Sequence, residues 1–92
     1  MGKLTEHFII NKLINKIMEE KILNILTELR PECDFINSNN YIEEGLLDSM
    51  DIVYLVETLE ETFDISIPGT DIAPINFSSL SGIVKLVEKA KS

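Results

Sequence analysis

Three separated segments of this chain repeat apolar residues at spacings of three and four, and nothing else in it limits the fold as strongly. In the first, Ile14, Met18, Ile22, Ile25 and Leu29 make one stripe along a helix predicted over 4–29. Pro31 ends it, because proline disfavours helical geometry in the residue before it. In the second, Ile52, Leu55, Val56, Leu59 and Phe63 share the core face of a helix predicted over 49–63. In the third, Leu80, Ile83, Val84 and Val87 form the buried stripe of a helix opened by Ser78 or Ser79 and running to about Ala90. Lys85, Lys89 and Lys91 crowd its C-terminal end, where they complement the helix dipole.

The connections are as informative. Residues 31–47 form a long first loop rich in Asn, Ser and Gly, with Phe35, Ile36, Tyr41, Ile42, Leu46 and Leu47 as apolar anchors. So many apolar residues predict a loop packed against the core. Pro68-Gly69 makes a turn, and Thr70-Asp71-Ile72-Ala73 allows one short helical turn, stopped by Pro74. There is no internal repeat, and Ile65-Ser66-Ile67 is too short to build a sheet. The expected fold class is all-α: three main helices, one short third helix and the long first loop. At 92 residues this is one small domain with a marginal core, so most apolar residues are needed for packing.

Charge narrows the function. The formal net charge is −8, and no Lys, Arg or His occurs from Pro31 to Val84, a stretch holding eleven acids. Such a field repels nucleic acid and favours partners with basic surfaces. No run of about 18 apolar residues suggests a membrane span. The start, Met1 to His7, lacks the cationic-then-apolar pattern of a secretory signal, so a cytoplasmic location is expected. Cys33 is the only cysteine and His7 the only histidine, so neither a disulfide framework nor a metal site is expected. Cys33 reads as a small half-buried apolar residue.

One serine stands out. Gly45-Leu46-Leu47-Asp48-Ser49-Met50-Asp51 delivers Ser49 to the head of the second helix, behind a glycine turn and between carboxylates. Asp48 or Ser49 can cap the helix's first amides, and capping alone would explain such a serine. No base lies near Ser49 in sequence, so catalytic residues are not expected. Placed at 100° intervals, Met50, Val53, Tyr54, Glu57 and Glu61 fall on or near the face opposite the core. Asp51, Val53, Tyr54, Glu57 and Glu61 are the expected partner-docking residues.

The same string resembles the phosphopantetheine attachment motif of the acyl and peptidyl carrier proteins. Similarity extends through Phe63-Asp64-Ile65-Ser66-Ile67-Pro68 and covers residues 18–90. Glu43 to Ser49 is most similar to D-alanyl and stand-alone peptidyl carriers. Fatty-acid carriers more often read Gly-Ala-Asp-Ser-Leu, where Leu47 and Met50 stand here for Ala and Leu. The resemblance implies a small four-helix carrier bundle. It implies 4′-phosphopantetheine attached to Ser49 from coenzyme A, with Asp48 and Met50 read by the modifying enzyme. The arm would hold an acyl or aminoacyl thioester, with an amino acid or a specialised-metabolite acyl group as the expected load. Implied partners are a phosphopantetheinyl transferase, an acyl- or amino-acid-activating ligase and a downstream acyl-transfer enzyme, all met by a monomer. A fatty-acid or polyketide load is the alternative within the class. An unmodified acidic helical adaptor is the alternative outside it. Carriers usually begin near Met18-Glu19-Glu20, so residues 1–17 are read as a helical extension and 18–92 as the carrier domain.

Overall fold

The computed structural model describes the backbone of residues 2–91 and the side chains of residues 9, 10 and 12–91. His7, singled out in the sequence, lies outside the described side chains. Helix α1 spans Gly2–Leu29, α2 spans Ser49–Phe63 and α3 spans Leu80–Lys91. Among the described residues there is no strand. The all-helical class is as expected, with α1 packed against both α2 and α3.

The short third helix is not one helix. Two 3-10 turns take its place, Gly69–Asp71 and Pro74–Phe77. The break follows from Pro74. Its ring forces Ala73 into extended backbone, φ −124° and ψ 144°, so the first turn cannot continue. Pro74 then opens the second turn, where its missing N–H costs nothing. The turn carries Phe77, which is fully buried.

Ile22 and Leu26 of α1, Leu55 and Leu59 of α2, and Ile83 and Val87 of α3 meet Phe77 and Tyr41 in the centre of the core. Four residues of the predicted stripes sit further out. Leu29, Phe63 and Leu80 are half-buried at its margin. Ile14 is 49% exposed, beside a hollow it shares with Met18, Glu88 and Lys91. The last residues of α3 lie at that hollow, and residues 9–17 of α1 carry Ile9, Ile10, Leu13, Ile14 and Ile17 about half exposed. On the helical wheel this second stripe lies about 130° round from the core-facing one, so it is not its continuation.

Loop 31–47 is packed down as expected. Phe35, Tyr41 and Leu47 are buried, and Ile42 and Leu46 half-buried. Ile36 departs from expectation and points outward, 75% exposed. The Phe35 and Tyr41 rings meet edge-on, centroids 5.1 Å apart, and the Tyr41 hydroxyl donates to the Phe35 carbonyl at 2.8 Å. The Tyr41 amide donates to the Ser78 carbonyl, pinning the loop to the entry of α3. At that entry the Ser79 hydroxyl accepts from the Gly82 amide at 3.1 Å, a side-chain cap. A Cβ at Gly82 would meet Ser79 Oγ at 3.2 Å and Asn76 O at 3.3 Å, so a side chain there would need its neighbours to give by a few tenths of an ångström.

Candidate functional site

The loop's final turn is what aims α2. Glu44 accepts from the Ser38 hydroxyl and from the Asn39 and Asn40 amides, at 2.9–3.1 Å. These hydrogen bonds, the Ser38 hydroxyl first, hold its carboxyl below the ordinary range. Leu46 and Leu47 both donate to the Tyr41 carbonyl. Between them and Glu44, Gly45 takes φ +77°, the left-handed region that a side chain disfavours. Leu47, 2% exposed, then anchors the strand of chain that enters α2.

Asp48, not Ser49, is the N-cap. Asp48 Oδ1 accepts from the Asp51 amide at 3.0 Å, and Asp51 Oδ2 accepts from the Asp48 amide at 3.0 Å. This reciprocal box satisfies two amides at the helix head. Ser49 therefore has no capping duty. It is the first residue of α2, it is exposed, and its hydroxyl makes no hydrogen bond among the described residues.

Asp51 does not lie on the docking face where it was expected. It is 8% exposed and turned inward, because it closes the capping box and receives Arg30 from the end of α1. Arg30 Nη2 is 2.8 Å from Asp51 Oδ2, and Nε is 3.3 and 3.2 Å from Oδ1 and Oδ2. The same Nη2 reaches Asp48 Oδ2 at 3.5 Å. Burial by itself would raise the Asp51 carboxyl. The hydrogen bonds from Arg30 and from the Asp48 amide, with the Arg30 charge, outweigh it and hold the carboxyl below its ordinary value. The Arg30 guanidinium is pushed up in turn, chiefly by its hydrogen bond to Asp51.

Arg30 was not singled out from the sequence. One signal was available: it is the last cation before the long stretch without any.

The other expected residues are outward. Met50 beside Ser49 is 77% exposed, Val53 and Tyr54 are each 55% exposed, and Glu57 and Glu61 are exposed. Glu57, Glu60, Glu61 and Asp64 border one shallow hollow. Glu60 is partly committed elsewhere, accepting from the Ile67 amide at 2.8 Å. Apolar groups ringed by carboxylates suit a partner that brings aliphatic contact and cations together. A load buried between the helices would need a cavity lined by Leu46, Ile52, Leu59 or Ile67; Leu46 is half-buried, and the other three are closed into the core at 7%, 0% and 6% exposed.

The site fits an attached phosphodiester on this structure's own terms. A free hydroxyl stands at a helix head, where backbone amides favour a negative phosphate. Asp48 opposes that slightly by like charge, and Arg30 offsets Asp48.

Comparison with known proteins adds four findings. The family described as "Phosphopantetheine attachment site" matches residues 20–87. A D-alanyl carrier protein of Lactobacillus delbrueckii subsp. bulgaricus is 32% identical over 74 residues, covering 78% of this chain and 91% of the relative. An acyl carrier protein of Buchnera aphidicola subsp. Schizaphis graminum is 37% identical over 67 residues, covering 73% and 77%. A D-alanyl carrier protein of Lactococcus lactis subsp. lactis is 31% identical over 80 residues, covering 80% and 96%.

Proposed function

The chain belongs to the phosphopantetheine attachment family, and from that premise we propose that Ser49 carries the arm and that an amino-acid-type acyl group is its load. Members of the family are carriers and not enzymes, and the arm is 4′-phosphopantetheine held covalently. Family membership therefore sets aside the unmodified adaptor. The observation that carries the Ser49 assignment is the division of labour at the head of α2. Asp48 does the capping and leaves an exposed serine hydroxyl with no structural task.

Attachment requires the Ser49 hydroxyl oxygen to bond to the β-phosphorus of coenzyme A. The pyrophosphate bond breaks, 3′,5′-adenosine diphosphate leaves, and the hydroxyl proton passes to a base on the transferase. This chain supplies placement: an exposed hydroxyl, a fixed backbone turn and amides favouring the phosphate. Asp48, whose side chain is 64% exposed, and Met50 flank the hydroxyl for recognition. When attached, the arm supplies a thiol that holds an acyl group as a thioester. Val53, Tyr54, Glu57 and Glu61 are the docking residues for the transferase, the activating ligase and the downstream acyl-transfer enzyme. No helix among the described residues is long and apolar enough to cross a membrane. The reading has a monomer working in the cytoplasm, where coenzyme A is available. Residues 18–92 are the carrier unit and 1–17 an extension of its first helix.

A small polar load is supported by the Glu43-to-Ser49 string, by the D-alanyl carriers among the relatives and by the closed core around Ile52, Leu59 and Ile67. An acyl load is the second reading, favoured by the relatives that are acyl carrier proteins. The test offers the phosphopantetheinylated chain, with ATP, to amino-acid-activating and fatty-acyl-activating ligases. Thioester mass on the wild type from an amino acid, and none on Ser49→Ala, is the expected result. Loading by the fatty-acyl ligase alone would overturn the amino-acid reading.

A further inference from the structure

Two carboxylates flank Ser49 within one helical turn, and like charges so close repel each other. The turn has no cation of its own. The compensating charge comes from Arg30, 21 residues upstream of Asp51 and just past the end of α1. Its guanidinium lies across the Asp51 carboxylate, with contacts of 2.8, 3.2 and 3.3 Å, and reaches Asp48 at 3.5 Å. The planar fork of arginine suits this, and an ammonium cannot reproduce it. Both members of the capping box are thus held by one side chain, and the box sets the backbone on either side of Ser49.

The two ends of the box are not alike. The Asp51 side chain is 10% exposed and wholly engaged inside, whereas that of Asp48 is 64% exposed. Arg30 therefore grips the hidden acid and steadies the visible one.

We propose that Arg30 is a positioning residue for the modification of Ser49, acting through Asp51 and Asp48 to hold the serine hydroxyl and its flanking acid in one orientation toward the transferase. The proposal rests on the reading of Ser49 as the attachment site. The bonds made and broken are those already given, with coenzyme A as donor and 3′,5′-adenosine diphosphate as leaving group. Arg30 touches none of the reacting atoms. Its effect is on the turnover of a correctly docked serine, where a displacement of about 1 Å can cost up to about a hundredfold.

The experiment is steady-state phosphopantetheine transfer from coenzyme A, measured well below the melting temperature on full-length chains shown to be folded. The chains are wild type, Arg30→Met, Arg30→Lys, Asp51→Asn and the Arg30→Met/Asp51→Asn double variant. Arg30→Met is expected to lower kcat about tenfold while KM stays within about threefold. Arg30→Lys should recover part of that loss. The double variant should be little worse than either single one, because both changes break the same contact. Loss of stability alone would move none of these values in protein that remains folded. A folded Arg30→Met chain with kcat within about twofold of wild type would overturn the proposal. So would a rise in KM at unchanged kcat, which would make Arg30 a docking contact. Should Arg30→Met fail to fold, Asp51→Asn decides by the same values. Failure of the underlying reading looks different: wild type and Ser49→Ala would then behave alike.

Discussion

Replacing Asp51 by Ala should cost this small domain a large share of its stability, although the residue is charged and sits on a helix rich in exposed acids. The change removes half of the capping box, leaving the Asp48 amide without its acceptor. A lost cap is worth about 1 kcal/mol. It also removes three Arg30 contacts of 2.8–3.3 Å. Hydrogen bonds to a charged group contribute about 1.5–3 kcal/mol, but the Arg30 side chain is 36% exposed, so the lower end applies. The expected loss is about 2–3 kcal/mol, a drop in Tm of about 10–15 °C for a domain of this size. Thermal melts followed by far-UV circular dichroism would measure it, with Glu57→Ala on the exposed face as control, expected within about 0.5 kcal/mol. A drop below about 3 °C for Asp51→Ala would refute the reasoning that the Arg30 network holds α1 to α2.

The difference between Asp51→Ala and wild type should itself depend on pH. The folded carboxyl is held low, so its contribution is present above the unfolded value of about 3.9 and is lost as pH falls through the folded value. Denaturant melts at neutral pH and in strong acid should show the gap between the two chains close in acid, and a constant gap would contradict the assignment. Leu59→Ala should cost about 2–5 kcal/mol, since Leu59 is fully buried. Phe63→Ala should cost less, because its ring is half-buried at the core margin, with the Lys21 and Lys91 ammonium groups 6.0 and 5.7 Å from its centroid; equal losses would contradict the two burials. Asp64 ends α2 in the left-handed region at φ 53°, with a negative charge at the negative end of the helix. Asp64→Asn keeps the tolerated geometry and should stabilise by about 0.5 kcal/mol at low salt, measured as a rise in Tm. Charge reversal at Glu57 and Glu61 should slow loading with the melt unchanged, and unchanged loading rates would remove these two from the docking face.

Much of this was legible in the residues, for reasons that differ by element. Helix α2 begins at Ser49 and ends at Phe63 as its periodicity predicts, because cap and stripe agree and Ile52, Leu55, Val56 and Leu59 of the stripe are all buried. Helix α1 was legible over its length but not in its facing. Ile14 continues the predicted stripe in spacing, yet core burial on α1 begins at Met18. Periodicity says which residues share a face, not whether anything covers it. Pro74 was read as a stop, and its second property, opening a turn, was missed. Asp51 shows the deeper limit. In sequence it is one more acid beside Ser49, indistinguishable from Glu57 and Glu61. Its inward turn is decided by Arg30, which follows the end of α1 and enters only through the tertiary fold. The Asp48–Asp51 box is local, and the spacing of three could have flagged it.

The intact mass of the chain after incubation with coenzyme A, Mg²⁺ and a broad-specificity phosphopantetheinyl transferase tests the central assignment most directly, with Ser49→Ala treated in parallel. The expected result is one added phosphopantetheine on the wild type and none on the variant. The same addition on Ser49→Ala, or none on a folded wild type beside a control carrier that the transferase does modify, would contradict it.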